Sequence, residues 1–195
     1  GLELLVVQAR PTRDRSNMIP QLHSGTGRRW SEQMKDPQQI WTGTVLPEWI
    51  DHNGHMNAGY YLVVFDDATG PWTAFLGIDQ AYRKANRRST FSIDSHLTWL
   101  RELPEGAPII VEAELLGFDD KKYHTFMRML HADEGYVAAT HELLSIHIDL
   151  DSRRSTPLPP EIHQRMEEVL RVQRRIAGPA DVGRVIRTKP WPPSS

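Results

Sequence analysis

The chain has 195 residues, 39% of them apolar and 25% charged, with a formal net charge of −2 and no cysteine. That length and balance fit one soluble globular domain carrying extensions. The small negative charge excludes a general nucleic-acid binder, and the missing cysteines exclude disulfides, thiolate catalysis and Cys-ligated zinc. No apolar run reaches the roughly 18–20 residues that a membrane helix needs. The opening Gly1-Leu2-Glu3-Leu4-Leu5-Val6-Val7 is too short, and lacks the basic region, for a secretory signal, so a reduced cytoplasmic setting is the expectation.

In chain order, residues 1–40 show no sustained period. Arg10 to Arg15 and Ser24 to Arg29 are basic, polar and rich in turn formers, which predicts a poorly ordered N-terminal arm. A compact domain is expected over 41–150. Trp41 to Leu46 reads as a short strand, with Thr42, Thr44 and Val45 β-branched and Pro47 ending it. Next comes Asp51-His52-Asn53-Gly54-His55-Met56-Asn57-Ala58-Gly59-Tyr60-Tyr61. A helix-period run follows it: Tyr61, Val64, Phe65, Ala68, Trp72, Phe75 and Leu76 form one apolar stripe. Gly70-Pro71 should kink or divide that helix, because proline removes one i to i−4 bond. Ile78 to Arg88 reads as a polar connection with the basic cluster Arg83, Lys84, Arg87 and Arg88.

Four strand-like segments follow: Ser89 to Leu100, Pro108 to Phe118, Lys122 to His131 and Tyr136 to Asp149. The second puts Ile109, Val111, Ala113 and Leu115 on one face, opposite Glu112 and Glu114. In the fourth, Leu144, Ile146 and Ile148 alternate with Ser145, His147 and Asp149, the period-two pattern of a half-buried strand. Asp119-Asp120 and Asp133-Glu134-Gly135 are short turns, so neighbouring strands should be antiparallel. One long helix followed by a meander predicts an α+β fold with the helix lying on one face of a single sheet. The remaining residues, 151–195, read as a Pro-rich linker, an amphipathic helix over Glu161 to Ile176, and a mobile tail beyond Gly178-Pro179.

The chemistry concentrates at Asp51 to Ala58. A helix start leaves backbone N–H groups unpaired and carries partial positive charge. A carboxylate beside it can attack a carbonyl, or activate water against it, while those N–H groups receive the carbonyl oxygen. Gly54 is expected to allow a close approach that a Cβ would block. Asn57 either caps the helix or orients water. His55 either locks the turn through a backbone carbonyl or moves a proton. Asp51, His52 and His55 lack metal-ligand spacing and a third ligand, so no metal is expected. Asp66 and Asp67 on the helix are reserve candidates for the carboxylate. Glu142, in an otherwise apolar strand, is either a buried group of raised pKa or a wetted strand-end residue.

Asp51-x-x-Gly54-His55-Met56-Asn57-x-x-x-Tyr61 closely resembles the signature of hotdog-fold acyl-CoA thioesterases of the 4-hydroxybenzoyl-CoA thioesterase branch. The stretch from Val45 through the motif is most similar to the betainyl-CoA thioesterase domains associated with L-carnitine dehydrogenase. Gly59-Tyr60 and Gly70-Pro71 depart from the family pattern. The resemblance implies a long central helix wrapped by an antiparallel sheet, a small acyl-CoA substrate, and no metal and no cofactor beyond the coenzyme A thioester itself. It also implies a homodimer, or a dimer-based tetramer, with sites at the subunit interface. Carried over by position, Asp51 is nucleophile or general base, the N–H near Ala58 polarises the thioester carbonyl, Gly54 makes the turn, and His55 and Asn57 shape the site. A betainyl group would need an aromatic surface, for which Trp49, Tyr60, Trp72 and Trp99 are the candidates. Arg87 and Arg88 are candidates for the coenzyme A phosphates. The alternatives are a hotdog enoyl-CoA hydratase or dehydratase, against which the Asp51–His55 spacing counts, and a non-catalytic acyl-CoA-binding module.

Overall fold

A computed structural model describes residues 37–173 and 182–186. Strand β1 (Gln38–Thr44) is followed by a 3₁₀ turn (Pro47–Trp49), helix α1 (Ala58–Phe75) and helix α2 (Gln80–Asn86). Then come β2 (Arg88–Trp99), β3 (Pro108–Phe118), β4 (Lys122–His131), β5 (Val137–Asp149) and helix α3 (Pro160–Gln173). The strands form one antiparallel sheet in the order β1-β3-β4-β5-β2, which leaves β1 and β2 at the edges. With α1 lying across one face, this is the hotdog arrangement.

The α1 stripe is buried as its period requires: Tyr61, Val64, Phe65, Ala68, Trp72 and Phe75 all turn inward. They meet Ile109, Val111, Ala113 and Leu115 of β3 and Met127 and Met129 of β4 in one core. Burying a side chain of this size is worth roughly 1.5–3 kcal/mol. Trp72 is 0% exposed, and its indole N–H donates to Thr125 Oγ1 of β4 at 3.0 Å.

Several expectations are corrected. The first strand begins at Gln38, inside the segment expected to be a loose arm, because Gln38 and Gln39 pair with Ala113 and Glu112 of β3. Residues 1–36 lie outside the described residues. Gly70-Pro71 does not divide α1, which runs through to Phe75. The Thr69 and Thr73 hydroxyls bond back to Phe65 O and Gly70 O beside the missing proline donor. The connection 78–88 contains α2, capped by Asp79 Oδ1 accepting from Tyr82 N at 2.7 Å and ended by Arg87 at φ 53°. Finally, α3 belongs to the domain, since Ile162, Met166, Val169 and Leu170 join the same core. The tail expected beyond Gly178-Pro179 is described only at residues 182–186.

The largest correction concerns β5. Its apolar Leu144 and Ile146 do not face the core; Leu143, Ser145 and His147 do. Of the inward polar groups, His147 is satisfied by partners from other elements, whereas His141 packs on Phe65. His147 Nε2 meets the Tyr82 hydroxyl at 2.9 Å, and its Nδ1 meets Thr156 O at 3.0 Å.

Gly77 closes the α1–α2 corner at φ +95°, where an added Cβ would stand 2.7 Å from Ile162 Cδ1. Ile162 can move aside, but the left-handed backbone cannot relax. Gly77→Ala is therefore expected to lower stability by about 1–2 kcal/mol, read as a lower urea midpoint with unchanged slope.

Candidate active site

The motif folds as a small antiparallel loop. Ile50 bridges to Met56, Asp51 N–H donates to His55 O at 2.9 Å, and Asn57 N–H donates to Trp49 O at 2.8 Å. Met56 N–H donates to Leu103 O, which ties the loop to the β2–β3 connection. Asp51 is partly exposed near the tip, and its Oδ1 accepts from Asn53 N–H at 2.8 Å. Gly54 sits at φ +83°, and among the described residues nothing lies within 4 Å of an added Cβ. Backbone conformation alone thus favours glycine at this position.

Asn57 caps α1: its Oδ1 accepts from Gly59 N–H at 2.9 Å, while its carbonyl accepts from Tyr60 N–H at 3.0 Å. Among the described residues no group accepts from Ala58 N–H. The first helical donor therefore stays open at the positive end of an 18-residue helix.

His55 does not lock the turn with its ring, which the backbone already does. Its Nε2 lies 3.2 Å from Glu102 Oε2 of the β2–β3 connection. Glu102 was invisible as a candidate, since nothing local in sequence links positions 55 and 102. The same connection is braced by the Tyr136 hydroxyl donating to Glu102 O at 2.9 Å and by the Arg101 guanidinium over the Tyr136 ring at 3.8 Å. Burial holds the Tyr61 hydroxyl above its ordinary pKa.

Three of the four aromatic candidates gather at the helix start. Trp49 and Tyr60 stack at 5.6 Å with 20° between their planes. Trp99, 52% exposed, donates its indole N–H to Ala58 O at 3.2 Å. Trp72 is not among them, being enclosed in the core. The reserve acids Asp66 and Asp67 are exposed along α1. Glu142 projects from the sheet face away from α1, where it pairs with His124 at 2.8 Å.

The basic cluster is dispersed. Arg83 donates to Thr73 Oγ1 and Ile78 O, and Arg87 is paired with Asp151 at 2.6 Å. Arg88 opens β2, a strand of 12 residues; at about 3.3 Å per residue it stands roughly 36 Å from Trp99 at the other end. No group of three or more His, Cys, Asp or Glu suited to a metal occurs among the described residues, and no helix there is long and apolar enough to cross a membrane.

Residues 45–166 match the family described as Thioesterase-like superfamily. Over 146 residues the chain is 38% identical to a betainyl-CoA thioesterase of Pseudomonas aeruginosa, covering 75% of this chain and 92% of that protein. It is 33% identical over 133 residues to an L-carnitine dehydrogenase/betainyl-CoA thioesterase of Agrobacterium fabrum, covering 68% of this chain and 27% of that longer protein. Among solved structures, a Staphylococcus aureus protein in complex with CoA superposes with a TM-score of 0.72 at 27% identity, over 80% of this chain and 98% of that one. The match reaches beyond 41–150 into α3, in keeping with that helix's place in the core. On the match over 45–166, this chain belongs to the Thioesterase-like superfamily.

Proposed function

We propose that the chain is an acyl-CoA thioesterase whose acyl group is small and cationic, of the betainyl type. The open Ala58 N–H at the helix start, beside the Asp51 loop, carries this conclusion. A thioester carbonyl seated there directs its oxygen to Ala58 N–H. Asp51 attacks the carbonyl carbon, or deprotonates a water that does. The C–S bond breaks and coenzyme A leaves as thiolate and takes a proton; where Asp51 itself attacked, water then hydrolyses the mixed anhydride formed on it, so either route consumes one water and releases the free acid. One oxyanion donor of this kind is worth about 3–4 kcal/mol in the transition state, so Ala58 N–H and Asp51 share the work.

The cationic acyl group rests on the aromatic surface around the donor. Tyr60, backed by Trp49, and Trp99 offer ring faces beside Ala58, and each face contributes roughly 0.5–2 kcal/mol toward a quaternary ammonium. The relative of Pseudomonas aeruginosa named for betainyl-CoA supports the same acyl class. Thiol release should favour betainyl-CoA over acetyl-CoA and over a 4-hydroxybenzoyl thioester. Equal kcat/KM for all three would rule out the cationic assignment while leaving the thioesterase.

A second copy of the chain completes the site in this proposal. β2 is an edge strand, and Leu62, Val63, Ile93, Trp99 and Leu100 are exposed large apolar residues on the flank formed by α1 and β2. Two β2 edges paired about a twofold at mid-strand, where Ser92 to Ser95 are exposed, set residue 88 of one copy opposite residue 99 of the other. Arg88 would then reach coenzyme A phosphates bound at the other copy's helix start. Ile93→Asp is expected to shift the sedimenting mass to that of a single 22.4 kDa chain and to cut thiol release at least tenfold. Full activity in a monomeric variant would refute the shared site.

A further inference from the structure

The β2–β3 connection closes on the start of α1 from one side. The Trp99 indole N–H donates to Ala58 O at 3.2 Å, and Leu103 O accepts from Met56 N–H at 2.9 Å. Between these two contacts, Glu102 Oε2 stands 3.2 Å from His55 Nε2. The backbone of His55 accepts from Asp51 N–H at 2.9 Å, so the two carboxylates belong to one end of the motif loop. Burial chiefly raises the Tyr61 hydroxyl's pKa, and the negative charges of Glu102 and Asp51 both add to that rise. The Glu102 side chain remains 74% exposed, open to a ligand at the helix start. The neighbouring cation is committed elsewhere: the Arg101 guanidinium lies over the Tyr136 ring at 3.8 Å and 3.6 Å from Glu134. Among the described residues, no lysine or arginine forms an ion pair with Glu102.

We infer that Glu102 is a specificity-determining carboxylate, which selects for positive charge on the acyl group and takes no part in bond making. The inference rests on the cationic acyl group proposed above. The need for a second carboxylate follows from the oxyanion donor. A betainyl group carries its quaternary nitrogen one methylene from the carbonyl carbon, roughly 2.5 Å away. The positive helix start that receives the carbonyl oxygen therefore repels the cation beside it. Asp51 offsets this only until it reacts. As nucleophile it becomes part of a neutral anhydride, and as base it is neutralised by the proton it takes. Glu102 is consumed in neither route, so its charge persists from binding to release. The faces of Tyr60 and Trp99 cover methyl groups but carry no net charge. A quaternary nitrogen has no N–H to donate, so a carboxylate acts on it through Coulomb attraction and needs no direct hydrogen bond.

The test is thiol release by the full chain from betainyl-CoA and from its neutral isostere 3,3-dimethylbutanoyl-CoA, in which carbon replaces the quaternary nitrogen. The ratio of the two kcat/KM values reports charge at constant shape. The unsubstituted protein is expected to prefer betainyl-CoA. In Glu102→Gln that preference should fall about three- to tenfold through slower use of betainyl-CoA, a range set by the screening of so exposed a carboxylate. Glu102→Asp, which keeps the charge, should retain most of the preference. An unchanged ratio in Glu102→Gln would overturn the role of Glu102 while leaving a cation-selective thioesterase. Equal slowing of both thioesters would also overturn it, because Glu102 would then only brace the Asp51 loop. A preference lost as fully in Glu102→Asp as in Glu102→Gln would reject charge as the cause. Equal use of the two thioesters by the unsubstituted protein would instead reject the cationic acyl group itself, and selection by Glu102 with it.

Discussion

Asp51→Asn is expected to lower kcat for thiol release roughly 10²- to 10⁴-fold, with coenzyme A affinity and thermal stability little changed. The choice of asparagine follows from the geometry. Asp51 Oδ1 accepts from Asn53 N–H at 2.8 Å, and an asparagine side chain keeps a carbonyl oxygen for that bond. The backbone pairing of Asp51 N–H to His55 O and of Gly54 N–H to Asp51 O does not involve the side chain at all. The loop should therefore survive while the negative charge, the only part able to act as nucleophile or base, is removed. General-base catalysis contributes about 10²–10⁴-fold where a side chain is well positioned, which sets the range. Asp51→Ala should lose the same activity and in addition loosen the loop. A thiol-release assay with coenzyme A inhibition measured in parallel separates the two effects. Activity retained within threefold in Asp51→Asn would remove Asp51 from the chemistry and return attention to Asp66 and Asp67, both exposed on α1.

Those parts of the fold whose cause is local were legible in the sequence. The α1 stripe, the alternation of β3, the cap at Asn57 and the turns at Asp119 and Gly135 all arise from residues within a few positions of one another. Each has one dominant physical reason: a period, a side-chain acceptor or a positive φ. Gly54 was read as special for a close approach; the structure adds its positive φ, a second reason for glycine that sequence does not distinguish from the first. α2 was missed because its seven residues are polar and exposed, with no stripe to betray it; its Asp79 cap was the available signal.

What escaped the sequence is long-range. β5 carries Leu144 and Ile146 outward while His147, inward, finds partners 9 to 65 residues away, Thr156 and Tyr82. Alternation reveals that a strand has two faces; only the neighbours decide which is covered. Glu102 beside His55, and Trp99 on Ala58 O, are likewise products of the β2–β3 connection returning to the helix start. The aromatic candidates sort by the same logic. Trp72 follows the helical period into the core, whereas Trp99, at the end of an edge strand, is carried to the helix terminus. The basic cluster, contiguous in sequence, is divided because α2 and β2 send its members in different directions.

The largest expected stability effect lies at His141, which faces α1 from the middle of β5. It is 3% exposed, its ring packs 5.1 Å from Phe65, and among the described residues neither ring nitrogen has a hydrogen-bond partner. Burial lowers its pKa to about 4 from the ordinary 6.5. The folded state therefore resists a proton that the unfolded chain accepts. Stability from this group is complete above pH 6.5 and is lost as pH falls from there toward 4, by about 3 kcal/mol in all. His147, also lowered chiefly by burial, adds to the loss in the same direction. His141→Leu replaces the ring with an apolar group of similar size among Phe65, Leu97 and Met127, its neighbours across the helix and the adjacent strands. Removing two unsatisfied nitrogens should raise stability at pH 7 by about 1–3 kcal/mol. It should also flatten the acid limb, so that the difference between variant and parent is larger at pH 5 than at pH 7. Urea midpoints at the two pH values measure both effects. A parallel loss in the two proteins between pH 7 and pH 5 would show that His141 is not the group whose protonation unfolds the sheet.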